Sequence, residues 1–192
     1  MAPEVGAANK PLIVTLEMDG RSQERFDRLR ELHFPPERNF LRAHLTLFHK
    51  LPGERAAEIS ADLGEFCQSR EPLTMTATNL RSLGRGVAYE LSSPELVALR
   101  RELAGSWEAW LGAQDRQGFR PHVTVQNKVS PERARALRER LQASFLPFEV
   151  EGLGLSLWRY LGGPWEPAGT YLFEAGPKGA ISDPAAGQQG RS

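Results

Sequence analysis

Two nine-residue stretches of this chain share a pattern that constrains how the chain can fold. Residues 42–50 read Arg-Ala-His-Leu-Thr-Leu-Phe-His-Lys, and residues 120–128 read Arg-Pro-His-Val-Thr-Val-Gln-Asn-Lys. The chain has four His. A His-x-Thr pair is then expected by chance about 0.15 times, and two pairs in roughly one random chain in a hundred. The repetition therefore calls for a structural explanation.

Each stretch is predicted to be a strand with one apolar face and one polar face, because alternate side chains of a strand share a face. The polar face of the first stretch consists of Arg42, His44, Thr46, Phe48 and Lys50. That of the second consists of Arg120, His122, Thr124, Gln126 and Lys128. Each face carries a cation, an imidazole and a hydroxyl, and together they form our candidate active site.

The similarity continues beyond the two strands. When His44 is aligned with His122, identical residues also coincide at Lys50 and Lys128, Glu54 and Glu132, Arg55 and Arg133, Ala56 and Ala134, and Leu63 and Leu141. A strand, a short turn and an Arg-bearing helix thus occur twice, which indicates an internal duplication with a pseudo-two-fold axis. Two such strands side by side would bring both imidazoles to one cleft.

Composition limits the class of protein and of partner. With 40% hydrophobic and 25% charged residues, the chain can bury a real core as a globular domain. Its formal net charge of zero leaves no positive field to hold a long nucleic-acid duplex, so an RNA partner would be engaged locally, at an end or as a short fragment. The single Cys67 excludes an intramolecular disulfide and a thiolate-rich metal site.

The termini and the location of the protein are predicted from composition alone. Residues 1–10 are expected to be flexible, residues 11–175 to form one bilobal domain, and residues 176–192 to be a disordered tail. The N-terminal residues lack the features of a secretory signal, and no apolar run approaches the length of a membrane span. We therefore expect a cytoplasmic protein that does not bind membranes, and we expect a monomer.

Periodicity and capping residues predict helices alternating with strands. Strands are expected at 12–18, 73–78, 87–91 and 170–173, and strand-like stretches interrupted by Gly152 and Gly154 within 147–158. Helices are expected from a cap at Ser22 to before Pro35, at about 53–69, from a cap at Ser93 to about 111, and from Ser130 to about 143. Trp107 and Trp110 follow the helical spacing of core residues.

His44-Leu-Thr-Leu and His122-Val-Thr-Val, the second preceded by Phe119-Arg-Pro, resemble the motifs of the two-histidine phosphoesterase superfamily. Within it the chain is most similar to the RNA 2′,3′-cyclic phosphodiesterases, long called 2′-5′ RNA ligases. The resemblance covers residues 11–174 and implies an α+β fold, in which two pseudo-symmetric lobes of antiparallel sheet face a central cleft and helices lie outside. Gln126 stands where this family usually has an apolar residue.

The resemblance also implies an activity. It implies that His44 and His122 are the catalytic pair, that Thr46 and Thr124 hold phosphoryl oxygens, and that cyclic ends are opened to 2′-phosphates, with reversible 2′-5′ ligation as a further activity. The partners would be RNA ends or small nucleotides with a 2′,3′-cyclic phosphate or a 2′-5′ linkage. It further implies that His44 donates the proton and His122 is the base, roles that the two near-equivalent strands do not distinguish.

The residues themselves suit this chemistry. Opening a cyclic phosphodiester needs a base for the attacking water and an acid for the leaving oxygen, and imidazole, with a pKa of about 6.5, serves as either. Two imidazoles therefore suffice without a metal or another cofactor, while Thr hydroxyls donate to the phosphoryl oxygens. Further candidate substrate-binding residues are the cations Arg42, Lys50, Arg120 and Lys128 and the aromatic side chains Phe48 and Phe119, which could stack on a base.

Two other functions compete with this one. A zinc site is disfavoured because His49 falls on the opposite strand face from His44 and few carboxylates accompany the histidines. A non-catalytic module that binds nucleotides or RNA ends would use the same cleft but would not need both His and both Thr, which favours an enzyme. The sequence leaves the substrate open among RNA ends, 2′-5′ oligonucleotides, mononucleotides and ADP-ribose cyclic phosphate.

Overall fold

The computed structural model describes residues 10–174. The predicted disordered tail, 176–192, and nearly all of the predicted flexible N-terminal segment, 1–10, lie outside this range and stay predictions. In the described range, no helix is both long enough and apolar enough to cross a membrane.

Residues 10–174 form seven strands and four α-helices. The strands are β1 (Leu12–Met18), β2 (Leu45–Leu51), β3 (Leu73–Ser82), β4 (Val87–Ser92), β5 (His122–Gln126), β6 (Phe148–Tyr160) and β7 (Trp165–Leu172). The helices are α1 (Gly20–His33), α2 (Ala56–Gln68), α3 (Pro94–Ser106) and α4 (Pro131–Ala143), with short 3-10 turns at Pro36–Arg38, Gly53–Arg55 and Glu108–Trp110. The fold is α+β, as predicted.

The strand order shows the predicted duplication. All strand pairs are antiparallel and run β2-β1-β6-β3-β4-β5, with β7 added beside β6. Exchanging β1 with β4, β2 with β5 and β3 with β6 reproduces the same order, so the sheet has a pseudo-two-fold axis between β6 and β3. We call β2, β1, β6 and β7 lobe one, and β3, β4 and β5 lobe two.

Each strand separates a core face from a cleft face. On β1, Leu12, Val14, Leu16 and Met18 are buried in the hydrophobic core, while Thr15 and Glu17 alternate with them. Helix α2 packs against β6 and β7, and α4 packs against β3 and β4. The helices thus cover the core side of both lobes and leave the other face of the sheet for the cleft.

Helices α1 and α3 connect the lobes, because each packs on the other half of the molecule. From α1, Phe26 lies 5.6 Å from the ring of Tyr89 on β4 and 5.9 Å from that of Phe148. Trp107, the residue just after α3, packs edge-on against Phe48 of β2, with ring centroids 5.1 Å apart. Trp107 is fully buried, which confirms its predicted place in the core.

Several capping predictions are confirmed. Ser93 Oγ accepts the Leu96 N–H at 3.3 Å at the start of α3, and Ser130 Oγ accepts the Arg133 N–H at 3.3 Å at the start of α4. The cap of α1 was wrong. Asp19 Oδ1 accepts the Ser22 N–H at 2.9 Å, so the helix begins earlier and Ser22 lies inside its first turn.

Other element boundaries also differ from the prediction. Helix α3 ends at Ser106, and Glu108–Trp110 form a separate 3-10 turn. Strand β6 is continuous through Gly152 and Gly154, which were expected to interrupt it. These glycines are needed for close packing, since a Cβ on Gly152 would come within 3.1 Å of Leu16 and Leu73 side-chain atoms, and the Tyr171 carbonyl occupies the place of a Cβ on Gly154.

Candidate active site

Both motif histidines are held by the same hydrogen bond. His44 Nδ1 lies 2.8 Å from the carbonyl oxygen of Arg42, and His122 Nδ1 lies 2.8 Å from that of Arg120. A carbonyl oxygen only accepts, so each ring must carry its proton on Nδ1 when it is neutral. Nε2 is then the nitrogen left to exchange a proton with a ligand, in both lobes alike.

Both motif strands contain the same irregularity, one residue after the Thr. In lobe one Thr46 pairs with Thr15 and Phe48 with Val14, and in lobe two Thr124 pairs with Ala88 and Gln126 with Val87. One extra residue therefore lies between the two pairs in each copy. Such a bulge reverses the alternation of the residues that follow it.

The bulge corrects the predicted membership of the polar face. Phe48 and Gln126 lie opposite the core residues Val14 and Val87, and both are buried, at 0% and 4% exposure. Neither belongs to the cleft with His44 and His122. The sequence pattern missed this because it assumed regular alternation through all nine residues.

The predicted base-stacking role of Phe48 is contradicted by its packing. Phe48 is 0% exposed, and the guanidinium of Arg100 lies 4.7 Å from its ring centroid. Phe119, whose ring centroid lies 5.6 Å from the same guanidinium, packs against the core but is only partly buried. Its stacking role stays a prediction.

The predicted cations have different surroundings, and their substrate-binding roles stay predictions. Lys50 is six residues from His44, about 20 Å along a strand, and Lys128 lies beyond the end of β5 in a left-handed conformation, with φ 63°. Arg42 is 74% exposed and forms an ion pair with Asp27 on α1, Nη2 to Oδ2 2.9 Å. Arg120 is exposed and lines a surface depression with Phe119 and Arg101.

Two arginines that the sequence analysis missed, the buried Arg30 and the partly buried Arg100, join the lobes. Arg30 of α1 is 4% exposed, and its Nη1 donates to the Thr124 carbonyl of lobe two at 3.0 Å. Arg100 of α3 donates from Nε to the Leu47 carbonyl of lobe one at 3.5 Å. Burial lowers the pKa of both guanidiniums. Arg30 follows Phe26 by four residues, so helical spacing placed it on the buried face of α1.

A third polar contact fixes the loop that leads to β5. Asp115 is 2% exposed, and its carboxylate accepts the backbone N–H groups of His49 and Lys50 at 2.9–3.1 Å and lies 2.9 Å from His49 Nδ1. Burial alone would raise the pKa of Asp115, but these hydrogen bonds outweigh it and lower the pKa. The loop, predicted only as polar, is thereby tied to β2.

His44 has an environment that disfavours its charged form. Desolvation, together with the positive charges of Arg30, His122 and His49, lowers its pKa to about 4, although the hydrogen bond to the Arg42 carbonyl acts the other way. The charge of His122 contributes to this lowering, and β2 and β5 contact each other, so the two motif strands lie close together.

Trp165 is the neighbour of His44 that the sequence analysis did not find. Its ring centroid lies 4.7 Å from that of His44, with a tilt of 50° between the planes. It begins β7, which starts five residues before the predicted Thr170. The sequence analysis predicted no strand over residues 165–169. In residues 10–174, groups of three or more His, Cys, Asp or Glu side chains suited to a metal are absent.

The fold agrees with comparison to known proteins. A family model described as the 2′-5′ RNA ligase superfamily matches residues 18–164. The match covers most of the chain, and the chain belongs to this superfamily, whose members are phosphoesterases and ligases. No curated protein is similar enough to add to the comparison.

Solved structures show the same fold at low sequence identity. Protein TT0787 of Thermus thermophilus superposes with a TM-score of 0.60 at 15% identity, over 85% of this chain and 98% of that one. LigT of E. coli complexed with NADP+ gives 0.57 at 18% identity, over 87% and 99%. LigT complexed with 3′-AMP gives 0.56 at 19% identity, again over 87% and 99%.

Proposed function

We propose that this protein is a metal-independent phosphodiesterase that opens 2′,3′-cyclic phosphate ends of RNA or nucleotides to 2′-phosphates, with reversible 2′-5′ ligation as a related activity. One observation carries the proposal: two imidazoles with the same Nδ1 hydrogen bond lie on duplicated strands that contact each other, and each is followed at i+2 by a Thr on the cleft face. The superfamily supports phosphoester chemistry in general.

The arrangement can perform in-line displacement at phosphorus. One imidazole accepts a proton from the attacking water, the other donates one to the departing ribose oxygen, and Thr46 and Thr124 donate hydrogen bonds to the non-bridging oxygens. No other group has to change protonation. The binding of nucleotides by the E. coli relative, which has been crystallised with 3′-AMP, agrees with a nucleotide-sized ligand.

We assign proton donation to His44 and the base to His122. With a pKa of about 4, His44 is neutral at pH 7 in the ligand-free protein. An anionic phosphodiester beside the ring favours the charged form, so substrate binding has to bring a proton to His44. This assignment predicts net proton uptake when a phosphate ligand binds near neutral pH.

The decisive experiment is a turnover panel of cyclic mononucleotides, RNA with a cyclic end, 2′-5′ oligonucleotides and ADP-ribose cyclic phosphate. It is run in parallel with wild type and the His44→Ala/His122→Ala double variant, and the product isomers are separated by phosphorus NMR. Formation of 2′-phosphate that depends on both histidines is expected. Binding without turnover would leave a nucleotide-binding module instead, and a 3′-phosphate product would reverse the roles of the two histidines.

A further inference from the structure

Two tryptophans continue the cleft from His44 into lobe one. The Trp165 ring lies 4.7 Å from His44, and the Trp158 ring lies 6.1 Å from Trp165, each measured between centroids. Both indoles are half-buried, so each keeps part of its surface accessible. Starting from the imidazole, the cleft therefore has an aromatic wall two rings long.

The position of this wall is fixed by the fold. Trp158 Nε1 donates to Thr15 Oγ1 at 2.9 Å, which anchors one indole to β1. Trp165 pairs with Tyr160 at the end of the β6–β7 hairpin, whose turn includes Gly162 at φ 95° and a hydrogen bond from Leu161 N to Pro164 O of 3.0 Å. Held on adjacent strands, the two rings are preorganised, which limits the entropy lost when a ligand stacks on them.

A row of hydroxyl side chains crosses the sheet beside the tryptophans. Thr46 pairs with Thr15, Thr15 with Ser156, and Ser156 with Thr170. Ser156 Oγ donates to Glu17 Oε2 at 2.7 Å and lies 3.3 Å from Thr170 Oγ1. Thr15 and Ser156 are buried, at 3% and 2% exposure, so the row supports the strands that carry the tryptophans and leaves the contact with a ligand to the rings.

We infer that Trp165, backed by Trp158, is a stacking platform for the nucleobase of the bound ligand. The inference rests on the proposed function, because it places the phosphate between His44 and His122. In a nucleoside phosphate held there, the base lies a few ångströms from the phosphate, within reach of the ring next to His44. Every base offers a π-face on which an indole can stack. The site would then select aromatic nucleosides over base-free sugar phosphates, and purines over pyrimidines.

The platform belongs to one lobe. Trp165 comes from β7, the strand that has no counterpart beside β3 in the pseudo-symmetric order. Of the two predicted stackers, Phe48 is buried beside Arg100, and Phe119 is partly buried and lines a surface depression with Arg101 and Arg120. The nucleoside therefore extends from the histidines towards the β6–β7 edge. The ligand binds in one direction only, although the two histidines are related by the pseudo-two-fold axis.

The test compares adenosine 2′,3′-cyclic phosphate with ribose 2′,3′-cyclic phosphate, which undergoes the same reaction but lacks a base. Trp165→Ala should raise KM for the adenosine substrate about 5- to 100-fold more than KM for the ribose substrate, the size expected for one stacked base, because any effect through His44 falls on both substrates alike. Trp165→Phe should recover most of the loss. Trp110→Ala is the matched control, since Trp110 is a partly buried indole packed beside Arg55 on the outside of lobe one.

The outcomes separate this inference from the proposed function. An equal loss on both substrates would mean that Trp165 only positions His44, and unchanged KM values would mean that the base does not touch it; either result overturns the platform. If wild type turns over neither substrate, the proposed activity fails. Tryptophan fluorescence then tests the platform on its own, since adenosine 2′-monophosphate should quench wild type but not Trp165→Ala, and ribose phosphate should quench neither.

Discussion

The two lobes carry the same strand but differ in what surrounds its histidine. Both have the Nδ1 bond to a carbonyl two residues earlier and the bulge after the Thr. Only lobe one has β7, and with it Trp165 against the imidazole. The duplication thus accounts for two imidazoles held in the same way, as an acid and a base require. The added strand makes their surroundings unequal, because only His44 has an indole beside it.

The residue just after the bulge shows a second difference between the copies. In lobe one it is Phe48, which packs on Trp107, and in lobe two it is Gln126, whose buried Oε1 has no hydrogen-bond partner within residues 10–174. Lobe one is therefore consolidated by an aromatic contact where lobe two carries a polar group at a core position. The two copies share their backbone pairing here but differ in how the residue after the bulge is packed.

The strongest test of the comparison removes each histidine in turn. His44→Ala and His122→Ala should each lower turnover by about 10²–10⁴-fold, and the double variant should lose less than the product of the two, because acid and base act in one transition state. His33→Ala, outside the motifs, is the control. Near-normal turnover by either single variant would remove that histidine from the mechanism.

Acid titration should detect the unequal environment of His44. Its pKa falls from 6.5 in the unfolded chain to about 4 in the folded protein, so the unfolded state binds the extra proton in this window. Stability is complete above pH 6.5 and declines as the pH falls to about 4, by roughly 3 kcal/mol at most. Urea unfolding of wild type and His44→Gln across this range isolates the effect, because the contribution of His33, whose pKa is also lowered, cancels.

If wild type and His44→Gln lose stability equally as the pH falls, His44 is solvated like an ordinary surface histidine. The same comparison for His122→Gln measures the other copy directly. Only a difference between the two histidine variants would support the view that β7 makes the lobes unequal.

The buried Gln126 should lower the free energy of unfolding, by less than protonation of His44 does. Gln126→Leu removes an amide without a protein partner and should stabilise the protein by about 1–2 kcal/mol, measured by urea unfolding. Gln117→Leu, on the exposed loop before β5, should change stability by less than about 0.5 kcal/mol. Destabilisation by Gln126→Leu would mean that a bound water satisfies the amide.

Chelation should have no effect. If the imidazoles and hydroxyls carry the chemistry, exhaustive treatment with EDTA leaves the rate unchanged, whereas a metallohydrolase would lose its metal-bound water. The measurement is the turnover of the best cyclic substrate before and after chelation. Loss of activity that a divalent ion restores would contradict the proposed mechanism.

Much of the fold could be predicted because the informative signals were local. Capping by Ser93 and Ser130 and the apolar periodicity placed most elements. The repeated His-x-Thr pattern pointed to an internal duplication, and the α+β fold was what the resemblance to the two-histidine phosphoesterases implied. The core position of Trp107 followed from helical spacing, and this residue is buried.

The errors arose where the backbone departs from regular alternation or where distant segments meet. A bulge turned Phe48 and Gln126 into the core, and nothing in the residue types marks it. Arg30 and Arg100 were overlooked because arginines on helices usually face solvent, while here each reaches a carbonyl of the opposite lobe. Trp165 was overlooked because its contact with His44 joins residues far apart in sequence.

The strand order has a consequence for how the molecule is assembled. The first half of the chain ends with β3, which lies beside β4 of the second half, and the second half contributes β6 beside β1 of the first. This is the architecture of a domain-swapped dimer joined into one chain at the β3–β4 turn. Neither half contains a complete lobe, so fragments cut at residues 83–86 should be unfolded separately and should restore the enzyme only by complementation.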